Sequence, residues 1–362
     1  MRELVFEIGD PALELRYPGE PLLGVDQQLG QPVALDGYGQ ALVRAVLGHE
    51  QEAIRALVDT IGGMPQVAIV MPVGRSPLTG ELAATLCHEL ALQDVPAEPF
   101  SGAFPEPRLG QVYVLLDPSG WMREHGSPAA SLLPATVVLF EQIPPAPDER
   151  LLELLNRAGA VFVADARQAI GLRRLADVHP RVLRAGYSER LDRFDPDAER
   201  PIDVAVIGGG AGGLDDISTA LGLRADRVEP GASRLELMSA AKVVINLHDG
   251  REPQLEWRRV LDAIHCGAVV VTEHSDGIAP LSVGEHLFVG SRASLPHIAG
   301  ALLRDPERLR RIRVAAYDRL RTWMPYALPV SVLRAAIVEL VGEPVTVVGA
   351  AGGERAGVLS AR

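Results

Sequence analysis

The fold is decided by residues 236–290, which read ELMSAAKVVINLHDGREPQLEWRRVLDAIHCGAVVVTEHSDGIAPLSVGEHLFVG. An apolar strand is predicted to end at Asn246-Leu247-His248, and a polar loop leads from it to a helix that begins near Glu256. A second apolar strand, residues 268–272, then runs directly into Glu273. Open parallel sheets bind ligands outside the carboxyl ends of their strands, where these polar side chains gather. The stretch therefore predicts a strand–helix–strand unit with a ligand site at one edge.

The length and composition predict two soluble domains. A chain of 362 residues is too long for one ordinary core and suits two domains of roughly 150–200 residues each. It is 47% hydrophobic and 23% charged, with a net charge of −12. Because a chain of this charge has no overall basic field, we expect neither nucleic acid nor anionic lipid as a partner.

The cysteines and the apolar runs predict a cytoplasmic protein. Cys87 and Cys266 lie one in each predicted domain, each inside a helical pattern. Such thiols are typical of buried side chains in a reducing compartment. Early acidic residues argue against a signal peptide. No apolar run reaches about 18 residues, so no transmembrane segment is expected.

Two series of alternating strands and helices are predicted on either side of an irregular segment. Continuous β-branched runs indicate strands covered by helices on both faces. We therefore predict an α/β fold of two doubly wound Rossmann-like domains that face a cleft. The predicted strands are residues 67–71, 111–117, 135–142 and 160–165 in the first series, and 203–208, 243–248 and 268–273 in the second.

The domain boundaries are predicted from changes in composition. Residues 179–203 are rich in charge, proline and glycine, as a linker is. The last 21 or so residues are rich in glycine and alanine and have little to bury. The predicted order is an N-terminal β/α domain (1–185), a linker (186–202), a C-terminal β/α domain (203–327), a helix that crosses back onto the first domain (328–341) and a mobile tail (342–362).

Several short motifs, taken in their order, resemble the GT-B glycosyltransferases of families 1 and 4, and most closely the spore-maturation (CgeB-like) group. The resemblance covers roughly residues 135–325. It implies a nucleotide-sugar donor mainly on the second domain, an acceptor on the first, and no requirement for a metal. The residues that carry it are Phe140-Glu141-Gln142, Gly186-Tyr187, Phe194, Pro196, Asn246-Leu247-His248, Glu256, Arg258, Val260, Ala263, Gly267, Glu273 and Gly284.

A glycine run leaves two interpretations open. Residues 208–213 follow an apolar strand and fit G-x-G-x-x-G, the pattern of a dinucleotide site. In the resembling family the corresponding loop faces the donor phosphates, which would engage Gly209, Gly210 and Gly212. We favour the donor loop, because the segment after it gives no clean second strand that ends in an acid. Asp226 and Glu229 are poorly placed for that role.

Candidate donor contacts lie at the predicted strand ends and on the helix between them. The resemblance implies that Glu256 binds the ribose hydroxyls; the alternative is that it only complements the helix dipole. Arg258 suits a phosphate clamp, since guanidinium binds phosphate bidentately, although a surface salt bridge explains it equally well. Lys242 and the glycine amides are expected to stabilise the departing diphosphate. Asn246 and His248 complete the predicted donor set.

The predicted activity is a hexosyltransferase-like sugar transfer from a nucleotide diphosphate, with no cofactor and no metal. Arg258, Glu273 and Glu141 are the candidate catalytic residues, and Glu141 faces the acceptor or acts as a base. The acceptor is a glycan, protein or small molecule. Two alternatives stay open: an oxidoreductase that binds FAD or NAD at residues 208–213, and a non-catalytic GT-B-like binding protein. Donor sugar, stereochemistry and oligomeric state are not determined by the sequence.

Overall fold

The computed structural model describes residues 23–25, 32–34 and 65–342, apart from 75, 109, 145, 210–212, 223–224, 230, 232 and 249–254. Near the start of the chain β1 (Leu23–Val25) and β2 (Pro32–Ala34) form a short antiparallel pair. The predicted mobile tail lies outside the described residues, except for Gly342 at its start.

The first sheet has six parallel strands. They are β3 (Gln66–Met71), β4 (Ala97–Ser101), β5 (Gln111–Leu116), β6 (Thr136–Phe140), β7 (Ala160–Val163) and β8 (Arg181–Val182), in the order β4-β3-β5-β6-β7-β8. The helices between them are α1 (Pro77–Ala91), α2 (Pro118–His125), α3 (Glu149–Arg157) and α4 (Ala166–Arg173). The four predicted strands are present, and β4 and β8 were not predicted.

The second sheet has five parallel strands. They are β9 (Ile202–Gly208), β10 (Ala225–Arg227), β11 (Ala241–Leu247), β12 (Val269–Glu273) and β13 (Leu287–Gly290), in the order β10-β9-β11-β12-β13. Its helices are α5 (Gly213–Leu221), α6 (Arg234–Ala240), α7 (Trp257–His265), α8 (Leu295–Leu303) and α9 (Pro306–Trp323). The order in which strands are added reverses between β9 and β11 in this sheet, and between β3 and β5 in the first sheet. Such a switch point is where open sheets bind ligands.

Both faces of each sheet are covered, as the continuous apolar runs predict. In β3, Val67 and Ile69 pack in one core with α1, whereas Ala68 and Val70 pack in another with Trp121 of α2. All four side chains are at most 2% exposed. The predicted class, two doubly wound parallel-sheet domains, is confirmed. No helix in the described ranges is long and apolar enough to cross a membrane.

The last helix, α10 (Ala327–Gly342), returns to the first domain. Val330, Leu333 and Ile337 are fully buried in the core that contains Val67 and Leu86. This confirms the predicted crossing back. The two connections between the sheets touch where they pass: Tyr187 N–H donates to Met324 O at 2.6 Å, and Tyr326 N–H donates to Tyr187 O at 2.8 Å.

A buried polar chain also joins the two domains. Ser188 Oγ donates to Glu89 Oε1 of α1 at 2.6 Å, and Ser188 N–H donates to Nε2 of His265 in α7 at 3.1 Å. The opposite ring nitrogen, Nδ1, donates to Leu261 O at 2.8 Å, so the imidazole is neutral. Burial lowers the pKa of His265 and raises that of Glu89, although the Ser188 hydroxyl opposes the second shift.

Replacing Gly186 by alanine should destabilise the crossing between the domains. An added Cβ would lie 2.4 Å from Met324 O and 3.0 Å from the Tyr326 backbone, and neither backbone atom can swing away. We expect Gly186→Ala to lower the free energy of unfolding by about 1–3 kcal/mol in denaturant titrations. Gly171→Ala in α4 is the control, because its Cβ meets nothing within 4 Å. Equal stability of the two variants would contradict this prediction.

Glu89→Gln should change how stability depends on pH. Glu89 is 3% exposed and its pKa is raised above 4.5, so the native state binds its proton more tightly than the unfolded state does. The carboxylate therefore costs stability as pH rises through that raised pKa. The stability of Glu89→Gln relative to the wild type should increase between pH 4.5 and the raised native pKa and be constant on either side of that window. The total change is about 1.4 kcal/mol per tenfold difference in proton affinity between the native and unfolded states. Glu106→Gln, at an exposed glutamate, is the control variant.

Candidate functional site

The carboxyl end of β9 contains two glycines that approach β11 closely. Gly208 and Gly209 have φ angles of +79° and +76°. A Cβ on Gly208 would lie 2.1 Å from Leu247 O, and one on Gly209 would lie 2.5 Å from the Leu247 side chain. Only glycine fits both the backbone conformation and the space. Gly210 and Gly212 lie outside the described residues, so their predicted phosphate contacts stay predictions.

Three arginines from separate elements converge on this glycine pair. Arg292, after β13, donates to Gly209 O at 3.2 Å. Arg227, the last residue of β10, donates to Gly208 O at 3.4 Å. Arg259 of α7 donates to Leu247 O at 3.4 Å, and its Nη1 lies 2.6 Å from where a Gly208 Cβ would be. Guanidinium groups around a glycine turn form a site suited to phosphate.

Sequence reasoning did not identify Arg227 or Arg292. Arg227 ends β10 and Arg292 lies two residues after β13, and this position at the end of a strand was the available signal. The short strand β10 was also missed because it has only three residues. It ends in Arg227, a cation that is directed at the glycine turn. A nicotinamide or flavin site calls instead for an acid at the end of the second strand, so the structure does not favour that alternative.

The structure brings four of the predicted residues together at the ends of β11 and β12. The Glu256 carboxylate lies 2.9 Å from His248 Nδ1 and accepts from Asn246 Nδ2 at 2.9 Å. Glu273 accepts from the His248 backbone N–H at 2.7 Å. Because an ionised carboxylate only accepts, His248 carries its hydrogen on Nδ1. Its Nε2 then lies 3.1 Å from Ser275 Oγ. Glu256 caps α7 without a side-chain hydrogen bond to that helix.

Arg258 faces the first domain. Its Nη1 donates to Glu141 at 2.6 Å and its Nη2 donates to Glu81 of α1 at 3.1 Å. Burial lowers the pKa of the guanidinium, but Glu141, Asp262 and Glu81 outweigh burial and hold that pKa above its ordinary value. The ion-pair interpretation therefore describes Arg258 in this structure, with both partners across the cleft. The phosphate clamp stays a prediction.

Glu81 also accepts from Arg234 of α6 at 2.6 Å, and Arg234 is paired with Asp262 at 2.7 Å. Arg234 and Asp262 are only 4% and 2% exposed. Burial lowers the pKa of Arg234, but the carboxylates of Asp262 and Glu81 outweigh burial and hold that pKa above its ordinary value. We call the connected residues Asp262, Arg234, Glu81, Arg258 and Glu141 the cleft network.

The structure does not bring Lys242 to the site. It is the second residue of β11, and its Nζ lies 2.5 Å from Asp203 at the start of β9. Both residues therefore lie at the amino edge of the sheet. Since a strand advances about 3.3 Å per residue, the Lys242 backbone lies roughly 16 Å from the end of β11 beside the glycine turn. Lys242 is therefore too far from the glycine turn to make the predicted contact with the diphosphate.

On the first domain, Glu141 and Gln142 line a cavity of about 380 Å³ at the carboxyl ends of β5 and β6. The wall is completed by α1 and α2. We call Asn246, His248, Glu256 and Glu273 the Glu256 cluster. Because Glu141 also binds Arg258 of α7, the cavity adjoins the helix that Glu256 caps. Within the described ranges no three His, Cys, Asp or Glu side chains are grouped so as to hold a metal ion.

The buried pair Arg234–Asp262 should behave as one energetic unit. Removing Arg234 leaves the Asp262 carboxylate buried without its ion-pair partner, so Arg234→Met should cost about 3–5 kcal/mol of stability. Asp262→Leu should cost less, because Arg234 keeps its ion pair with Glu81. The double variant should cost clearly less than the sum in a denaturation cycle. The exposed pair Arg157–Glu153 is the matched control, with an expected coupling of about 0.3–0.5 kcal/mol. Additive costs at Arg234 and Asp262 would contradict the prediction.

Comparison with known proteins finds a family match in the second domain. Residues 197–327 match the family model described as "Glycosyl transferase-like". No curated protein sequence matches the chain. The fold is similar to Anabaena HepE in complex with UDP and glucose, with a TM-score of 0.54 at 14% identity over 76% of this chain and 100% of HepE. It is also similar to sucrose-phosphate synthase from Thermosynechococcus elongatus, with a TM-score of 0.51 at 12% identity over 74% and 97% of the two chains.

Residues 197–327 are thus similar to a glycosyl transferase-like family, and the two-domain architecture of the chain is the GT-B fold. The predicted fold is confirmed. The match to the family model begins in the linker and ends at the start of α10, so it includes the glycine turn, the arginines around it and the Glu256 cluster.

Proposed function

We propose that this protein is a glycosyltransferase that transfers a sugar from a nucleotide diphosphate to a hydroxyl of an acceptor. One observation carries the proposal: three guanidinium groups surround a glycine turn at the switch point of the second sheet. The family match over the same residues supports it. A diphosphate is the ligand whose charge suits this site.

We propose a position for the donor from the chemistry of each group at the edge of the sheet. The diphosphate lies against Gly208 and Gly209, where Arg259 and Arg292 offset its charge. Glu256, 19% exposed at its side chain, keeps acceptor capacity for a ribose hydroxyl beyond its bonds to His248 and Asn246. Because arginines supply the positive charge, the reaction is proposed to need neither a metal nor a cofactor.

In the transfer step, the bond from the sugar C1 to the phosphate oxygen breaks and its electron pair leaves with the diphosphate. A new bond forms between C1 and the acceptor oxygen, whose proton is given up. Glu141 is the proposed proton acceptor, since it lines the first-domain cavity. Arg258 holds Glu141 in the cleft and becomes a phosphate ligand by exchanging Glu81 for a phosphate oxygen. Glu273 fixes the His248 backbone.

We further propose that the transferred sugar is a hexose and that the protein is related to the spore-maturation (CgeB-like) group. HepE was crystallised with UDP and glucose, which makes UDP-hexoses the first donors to test. GDP- and dTDP-sugars follow, with NAD and FAD in the same panel to test the oxidoreductase alternative.

Arg292→Met should weaken donor binding without unfolding the protein. Loss of one charged hydrogen-bond donor costs about 1.5–3 kcal/mol, so we expect roughly a tenfold or greater rise in the Kd for the preferred nucleotide sugar. Isothermal titration calorimetry after a thermal-shift screen of the panel measures this change. Arg304→Met, at an exposed arginine that ends α8, is the control and should bind as the wild type does.

Two outcomes would count against the proposal. If no nucleotide sugar binds at millimolar concentration while NAD or FAD does, the chain is an oxidoreductase. If a nucleotide sugar binds but a wide acceptor panel gives neither transfer nor hydrolysis, the chain is a donor-binding protein without this activity.

A further inference from the structure

The cavity of the first domain has a polar wall on α2. Ser119 and Arg123 both line it, and they lie four residues apart on the helix. Residues at that spacing share one helix face. The face of α2 that borders the cavity therefore presents a hydroxyl and, one turn further along, a guanidinium.

Both groups lack partners within the described part of the chain. Ser119 Oγ is buried without a hydrogen bond, and no hydrogen bond or ion pair joins Arg123 to another described residue. Their neighbours on α2 are bonded. Glu124 accepts from the backbone N–H groups of Val73 and Gly74 at 2.7 and 2.9 Å, and Trp121 Nε1 donates to Gly102 O at 2.6 Å. A buried hydroxyl without a partner is costly, so a ligand atom is the natural complement.

The guanidinium of Arg123 favours an anionic group on the α2 side of the cavity. Arg123 is the one cation among the residues that line it, and Asp117 and Glu141 are the two acids. Both acids are already engaged. Asp117 accepts from Gly120 N–H at 2.9 Å as the cap of α2, and Glu141 binds Arg258. The exposed guanidinium of Arg123 forms no ion pair with a described residue, and its planar geometry suits a phosphate or carboxylate.

We propose that this cavity binds a small hydroxyl-bearing organic anion, whose phosphate or carboxylate is held by Arg123 and Ser119. Resting on the proposed function, this molecule is the sugar acceptor: its anionic end lies on α2, and a hydroxyl lies near Glu141 at the cleft. A volume of about 380 Å³ suits one small molecule. Arg123 then selects charged acceptors over neutral ones, since a neutral ligand leaves the guanidinium without a counter-ion.

The binding test uses three probes with one carbon skeleton: glucose 6-phosphate, glucuronate and glucose. Binding to the full chain is measured by ligand-observed NMR and calorimetry. We expect at least one anionic probe to bind tenfold or more tightly than glucose, and the stronger of the two identifies phosphate or carboxylate. Arg123→Met should remove that preference and Ser119→Ala should weaken it. Arg157→Met, at an exposed arginine of α3, should leave it unchanged.

Arg292→Met separates this site from the donor site. The variant should lose affinity for nucleotide sugar and keep affinity for the anionic probe, whereas Arg123→Met should do the reverse. Loss of probe binding in Arg292→Met but not in Arg123→Met would assign the anion to the donor site and overturn the proposal. Binding of glucose as tight as that of both anions, or no binding of either anion, would overturn it as well.

The acceptor role is tested separately from binding. With a donor identified, Arg123→Met should raise the KM for the anionic acceptor tenfold or more and leave the KM for the donor unchanged. If no donor binds but the anion still depends on Arg123, the proposed function fails and the anion site stands. If transfer occurs with a KM for the acceptor that is indifferent to Arg123→Met, the acceptor assignment fails and the transferase stands.

Discussion

The arrangement of the two domains depends on the cleft network, in which charges alternate from Asp262 through Arg234, Glu81 and Arg258 to Glu141. Asp262 and Arg234 are buried, and a buried charge needs an opposite charge at contact distance. Glu81 and Glu141 belong to the first domain, whereas the other three belong to the second. The network therefore fixes α1 and β6 against α6 and α7. Both proposed substrate sites adjoin it: the Glu256 cluster through α7, and the first-domain cavity through Glu141.

Much of the fold could be predicted from the sequence, because it follows from local pattern. Continuous apolar runs specify strands buried on both faces, and β3, β5, β11 and β12 form where such runs occur. The polar residues after β11 and β12 meet because parallel strands end at one edge, which is why Asn246, His248, Glu256 and Glu273 come together. Strands of two or three residues, such as β8 and β10, carry too few residues to show a period.

The rest of the candidate site depends on contacts between distant parts of the chain. Arg258 meets Glu141 and Glu81 across 117 and 177 residues, and no local pattern encodes that pairing. Lys242 was assigned from its charge alone, but it comes early in β11 and so falls at the wrong edge of the sheet. Arg227 and Arg292 come from strands at opposite edges of the sheet, and they meet only because both side chains reach the glycine turn. Ser119 and Arg123 stand out only when the partners of the residues around them are known.

The return of α10 to the first domain has a consequence for the order in which the protein is made. Val330, Leu333 and Ile337 belong to the same core as Val67 and Leu86, yet they are synthesised after the whole second domain. Synthesis proceeds at about 5–20 residues per second, so the first sheet waits on the order of ten seconds or more for the helix that covers one of its faces. Until then only α1 packs on that apolar face. The second domain, whose cores draw on residues 185–324, can pack first. The N-terminal domain is therefore the last to be completed.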